Sequence, residues 1–190
     1  LELILMKNFL KTIYTYSKKN IKLVLITFIL LFTFILLSEQ VKVIFVTIIF
    51  IILASLSKIY HRFFKSTIGI DLILFLTLII SYRYNNPLLS FFVGYISLIL
   101  ADLIGSKISH TSVVSLISLT FVILLSRILF LFDLVPTFIF LTILFEIITI
   151  FLYKYVLSSS LPRILTYLFS HFIFNMILIL NFTELIKKII

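Results

Sequence analysis

The stretch VPTFIFLTILFEIITIFLY, residues Val135–Tyr153, carries one acidic or basic side chain, Glu146, in nineteen positions. At about 1.5 Å per residue, an α-helix of that length covers most of the ~30 Å hydrocarbon core of a bilayer. The run therefore reads as a membrane-crossing helix. Comparable apolar runs fall at about 21–38, 41–57, 68–82, 88–106, 112–132 and 164–186. The 68–82 run is short, and reads as tilted or partly re-entrant. Seven helices are predicted, with six as the alternative. Breakers separate them: Asn85-Asn86-Pro87, Val135-Pro136, and Ser158 to Pro162.

Composition agrees. Hydrophobic residues make up 63% of the 190 and charged residues only 12%, with a mean hydropathy of +1.33. Too little polar surface remains to cover a soluble domain. The expected fold is all-α, a polytopic transmembrane helical bundle of six to seven helices. It forms one domain over 21–190, behind a basic interfacial segment over 1–20. Lys7, Lys11, Lys18 and Lys19 interrupt that segment, so it lacks the apolar core of a signal peptide. Leu1 and Met6 are the two alternative starts, with Leu1–Leu5 an upstream misread in the second case.

The net charge of +9 is read as a topology signal rather than a nucleic-acid footprint. With the N-terminus inside, eleven of the sixteen basic residues fall in cytoplasmic segments: Lys7, Lys11, Lys18, Lys19, Lys22, Lys58, Arg62, Lys65, Lys107, Lys154 and Arg163. Lys42, Arg83, Arg127, Lys187 and Lys188 do not. The expected location is the cell membrane, multi-pass, with a cytoplasmic N-terminus. Tyr14, Tyr16, Tyr60, Tyr82, Tyr84, Tyr153 and Tyr155 sit at predicted helix ends, where amphipathic rings favour the headgroup level.

Three constellations stand out. Ser90, Gly94, Ser97, Ala101 and Gly105 form a continuous face of small side chains on the 88–106 helix. That face suits close packing within the chain or docking of another subunit. Asp71 and Asp102 lie equally far from the Asn85-Asn86 turn, which places both near the same leaflet. A carboxylate in hydrocarbon costs roughly 2.5–3.5 kcal/mol on insertion scales and calls for a ligand or a cation; Lys65 and Lys107 are the expected partners. Glu146 and His171 lie seven residues either side of a shared loop, roughly 10 Å into the membrane at ~1.5 Å per residue. Asn175 is one turn beyond His171 on the same face. Such a cluster suits binding a polar ligand, relaying protons, or satisfying itself. Arg127 and Asp133 are expected to neutralise each other, and Arg83 to snorkel to the headgroups.

The chain has no Cys, no Gly-rich phosphate loop, no HExxH and no Gly-x-Ser-x-Gly. It also lacks an aromatic stacking platform for nucleic acid. No catalytic set, metal centre or cofactor is expected, and the chain is read as not an enzyme. Glu146, His171, Asn175, Asp71 and Asp102 are the candidate ligand-binding residues.

The cadence Ile68-Gly69-Ile70-Asp71, Asn86-Pro87-Leu88, Val93-Gly94-Tyr95 and Ala101-Asp102-Leu103-Ile104-Gly105 resembles the substrate-binding subunits of energy-coupling-factor transporters and the related MreD-like membrane proteins. The resemblance covers about residues 68–120. It implies a bundle that captures a vitamin, metal ion or similar micronutrient and docks on a transmembrane coupling subunit driven by ATPases. An MreD-like scaffold without substrate is the alternative. Residues 21–38 contain no Ala or Gly, so the docking stripe those subunits carry on their first helix would fall to the 88–106 face. Separately, Ser170-His171-Phe172-Ile173-Phe174-Asn175 is similar to the His-x-x-x-Asn segment of CAAX-protease-like intramembrane peptidases. The Glu-Glu-x-x-x-Arg segment of those enzymes is missing.

Overall fold

The computed structural model describes residues 22, 25–27, 29, 30, 33, 39–63, 69–105, 110–158 and 161–189. The basic segment 1–20, most of the first predicted span, Lys65 and Lys107 lie outside the described residues. Every regular element described is helical. The α-helices are α1 (Glu39–Leu56), α2 (Ile73–Tyr84), α3 (Pro87–Ile104), α4 (His110–Leu129), α5 (Leu134–Tyr155) and α6 (Leu161–Ile189), with a 3-10 turn at Ile59–Arg62. These agree with the predicted spans to within a few residues. Among the described residues, five segments are long and apolar enough to cross a membrane: Glu39–Arg62, Pro87–Ile104, His110–Leu129, Leu134–Tyr155 and Ile164–Thr183. α2 is shorter, at twelve residues.

The chain divides into two compact units, Leu1–Val46 and Thr47–Ile190. In the first, residues 25–27, 29, 30 and 33 are helical and exposed. Glu39 and Lys42 form an exposed pair at 2.8 Å, one turn apart.

The second unit holds the buried core. α2 packs against α3, α4 and α6, while α4 packs on α5 and α5 on α6. Every residue of α2 from Ile73 to Ser81 is buried. A helix apolar on all sides has to be enclosed by others, and this one is. Its turn into α3 follows from local chemistry. Asn85 takes the left-handed conformation at φ 44°, which asparagine tolerates. Asn86 then caps α3 through its side chain, accepting from Leu89 N, and Pro87 occupies the first turn.

The five small residues of α3 are all buried. The face therefore serves packing within the chain. A Cβ on Gly94 would meet Leu119 Cδ2 at 2.6 Å and Thr77 Oγ1 at 3.1 Å, so α3 lies almost backbone-close to α2 and α4. Hydroxyl pairs join α2 to α4, Ser81 with Ser126 at 2.7 Å, and α5 to α4, Thr149 with Ser118 at 2.8 Å. Gly94→Ala is expected to be mild, because the end of Leu119 can rotate away. Gly94→Leu is expected to lower the melting temperature in detergent, through an overpacking cost of about 1–3 kcal/mol.

Candidate functional site

All five candidate ligand-binding residues come together in one buried cluster. Asp71 is 4% exposed, Asp102 6%, Glu146 7%, His171 1% and Asn175 0%. Their centre is a sixth residue that sequence reasoning placed in a cytoplasmic loop. Lys58, just beyond α1, is buried; its Nζ lies 3.2 Å from Asp102 Oδ1 and 3.8 Å from Asp71 Oδ2. Lys58 is thus the cation that Asp71 and Asp102 share.

His171 closes the cluster from α6. Its Nδ1 hydrogen-bonds Glu146 Oε1 from α5. Its Nε2 lies 3.7 Å from Asp71 Oδ1 and 3.2 Å from Asn175 Nδ2. A neutral ring accepts from Asn175, whereas a protonated ring pairs with Asp71. Asn175 Nδ2 also donates to the His171 carbonyl at 2.9 Å, the i−4 bond that holds the amide against the ring. Tyr167 stacks on the imidazole at 5.9 Å between centroids, and Phe145 lies 5.3 Å away. These rings keep the local medium apolar, where charge interactions are stronger than in water. A cavity of about 10 Å³ touches Lys58, Asp71, Ser115, Tyr167 and His171, at the lower limit for one water.

The segment that carries Asp71 explains why α2 is short. Residues 69–71 are not helical, yet they run beside α6, where unpaired backbone groups would be costly. Side chains from other elements satisfy them. Gly69 N donates to Ser170 Oγ at 2.8 Å, Ile70 N to Tyr60 Oη at 3.0 Å, and Leu72 N to Ser57 Oγ at 3.0 Å. Asp71 Oδ1 itself accepts from Ile73 N at 3.1 Å. The predicted re-entrant character of 68–82 is thus a broken backbone followed by a half-length helix. The N-terminal end of α2, where the helix dipole is positive, adjoins the Asp71 carboxylate.

Among the described residues, charge and hydrogen bonding in the cluster are both incomplete. It holds three carboxylates, one lysine and one histidine there. Even with the imidazole protonated, the described cations number one fewer than the carboxylates. Glu146 Oε2 and Asn175 Oδ1 are buried without a hydrogen-bond partner among the described residues. Glu146 also lines a groove of about 650 Å³ between α5 and α6.

Other expectations resolve differently. Arg127, in the last turn of α4, and Asp133, at the N-cap of α5, are both exposed, and no ion pair joins them. Arg83 is exposed, as snorkelling requires. Lys58, Ser57, Tyr60 and Ser170 were not identified from sequence. The one available signal was the Gly69-Ile70-Asp71 break ahead of a short apolar run, which needs backbone partners.

No protein-family model, no curated protein and no solved structure matches this chain. What fold and composition together establish is a multi-pass integral membrane protein with a buried ionic cluster in its bundle.

Proposed function

We propose that this protein is the substrate-capture component of a membrane uptake system, and that its substrate is a small cation or a cationic micronutrient. The observation carrying this reading is the cluster's excess of carboxylates over cations among the described residues of the bundle. Such an arrangement is completed by a proton or by a positively charged ligand. The broken backbone and half-helix beside it support the same reading, since transport sites are commonly built at discontinuous helices. The lysine distribution supports a cytoplasmic N-terminus. A transmembrane coupling subunit with its ATPases is the proposed partner.

The role is non-catalytic in this reading. Both ring nitrogens of His171 face acidic or amide groups, which suits an imidazole held as part of a binding network. One observation favours the scaffold alternative: Lys58 bridges both aspartates, so part of the network satisfies itself.

Purified protein in lipid nanodiscs, heated with a panel of amine-bearing micronutrients and divalent cations, separates the two. A capture protein is stabilised by about 2.7 kcal/mol at a hundredfold excess of ligand over Kd. Glu146→Ala and His171→Ala are expected to abolish that stabilisation at normal expression. A scaffold loses only stability in these variants. Affinity purification in gentle detergent adds the partner test, with stoichiometric recovery of a coupling subunit and ATPases as the expected result. Proteolysis of a lipidated or membrane peptide, lost in His171→Ala, would instead establish the peptidase reading.

A further inference from the structure

Glu146 faces two environments. Oε1 receives the imidazole bond, while Oε2 has no partner among the described residues. The residue is more than nine-tenths buried, and it lies in the groove between α5 and α6. The walls of that groove include Ile147, Ile150, Leu165 and Phe169. Ile147 is 57% exposed, Leu165 55% and Phe169 68%. All lie within the two membrane-crossing segments, so their exposure is to lipid and the groove opens sideways. Its volume of about 650 Å³ falls in the ~300–1,000 Å³ range of small-molecule sites.

A groove open to lipid accepts any acyl chain. An acid with one oxygen unpartnered does not, because an incompletely paired carboxylate in hydrocarbon is costly. Behind Glu146 the described cluster offers the His171 imidazole, which also faces Asp71, and a single lysine that serves both aspartates. The occupant that removes this cost carries a positive hydrogen-bond donor on an apolar body. Anionic lipids are disfavoured by the same charge balance.

We infer that the α5–α6 groove admits a cationic amphiphile from the bilayer, its apolar chain along Ile147, Ile150, Leu165 and Phe169 and its protonated amine on Glu146 Oε2. This deepens the proposed capture role and rests on it, naming both the substrate class and a lateral route of entry.

The test uses the full chain in phosphatidylcholine nanodiscs and dodecylamine bearing a photoreactive diazirine on its chain. Cross-links mapped by mass spectrometry are expected on Ile147, Ile150 and Phe169, competed by unlabelled dodecylamine and not by dodecanol. Glu146→Gln is expected to reduce labelling about tenfold, the equivalent of roughly 1.4 kcal/mol. Should that variant fail to fold, Ile147→Trp and Leu165→Trp fill the groove from its lipid side without touching the network. Both are expected to lose the label and keep the wild-type melting temperature.

Equal labelling by a dodecanol probe, or cross-links spread over all lipid-facing helices, would mark an ordinary lipid tail and overturn the inference. Stabilisation by butylamine that depends on Glu146, with no groove labelling by dodecylamine, overturns the groove and leaves the cation-capture reading standing. Stabilisation by neither amine overturns the groove inference, and absence of stabilisation by divalent cations and amine-bearing micronutrients as well overturns the capture reading.

Discussion

Lys58→Met is expected to be the most damaging single substitution in the described part of this protein. It leaves Asp71 and Asp102, both nearly inaccessible, without the ammonium group that lies within 4 Å of each. Removing one partner of a buried ion pair typically costs about 3–5 kcal/mol, because the remaining charge stays desolvated. Here two charges are stranded, and His171 alone remains to face Asp71. The expected readout is loss of monodisperse protein in mild detergent. Combining Lys58→Met with Asp71→Asn and Asp102→Asn should restore much of the folded yield, since replacing a whole buried network is often close to neutral. Recovery in the triple variant would show that stranded charge, rather than lost lysine packing, is the cause. Equal damage in both would assign the effect to packing.

Gly69→Ala comes second. A Cβ there would sit 2.7 Å from both the Tyr167 carbonyl and His171 Cβ, and 2.9 Å from the Tyr167 ring. Two of those three contacts are backbone or Cβ atoms, which cannot rotate away as the end of Leu119 can at Gly94. The 69–71 segment would have to move off α6. That would break the Gly69–Ser170 bond and draw Asp71 away from His171. The overpacking cost is about 1–3 kcal/mol, occasionally more, and the loss of backbone partners adds to it. Lower thermal stability together with weaker ligand binding is the expected pair of results in nanodiscs. Wild-type melting and binding would show that the segment is not held against α6. Asp71→Asn separates the two contributions, because it keeps the backbone in place and removes only the charge.

The extent of each helix was legible because bilayer thickness imposes it. Apolar runs of the required length could be counted, and the Asn85-Asn86-Pro87 turn supplied its own chemistry. The two acidic pairings were also legible in outline. Antiparallel helices sharing a short loop bring residues equidistant from it to one level, which placed Asp71 beside Asp102 and Glu146 beside His171. The partner of the aspartates was not legible in this way. Nearness in sequence favoured Lys65 and Lys107, whereas the lysine described beside Asp102 is 44 positions away.

Sequence by itself determined membrane residence and the approximate extent of the described helices, because these depend on local hydropathy and on rise per residue. Only the tertiary structure decided that the two pairs form one cluster around Lys58. Only it turned Glu146 toward both His171 and a lipid-facing groove. Rotation of a helix about its axis and its choice of neighbours are lateral properties, set by side-chain packing between segments distant in the chain. In a run such as Val135–Tyr153 the polar residues Thr137, Thr142, Glu146 and Thr149 recur at helical spacing and turn inward, but nothing in the run names the neighbour that this face meets.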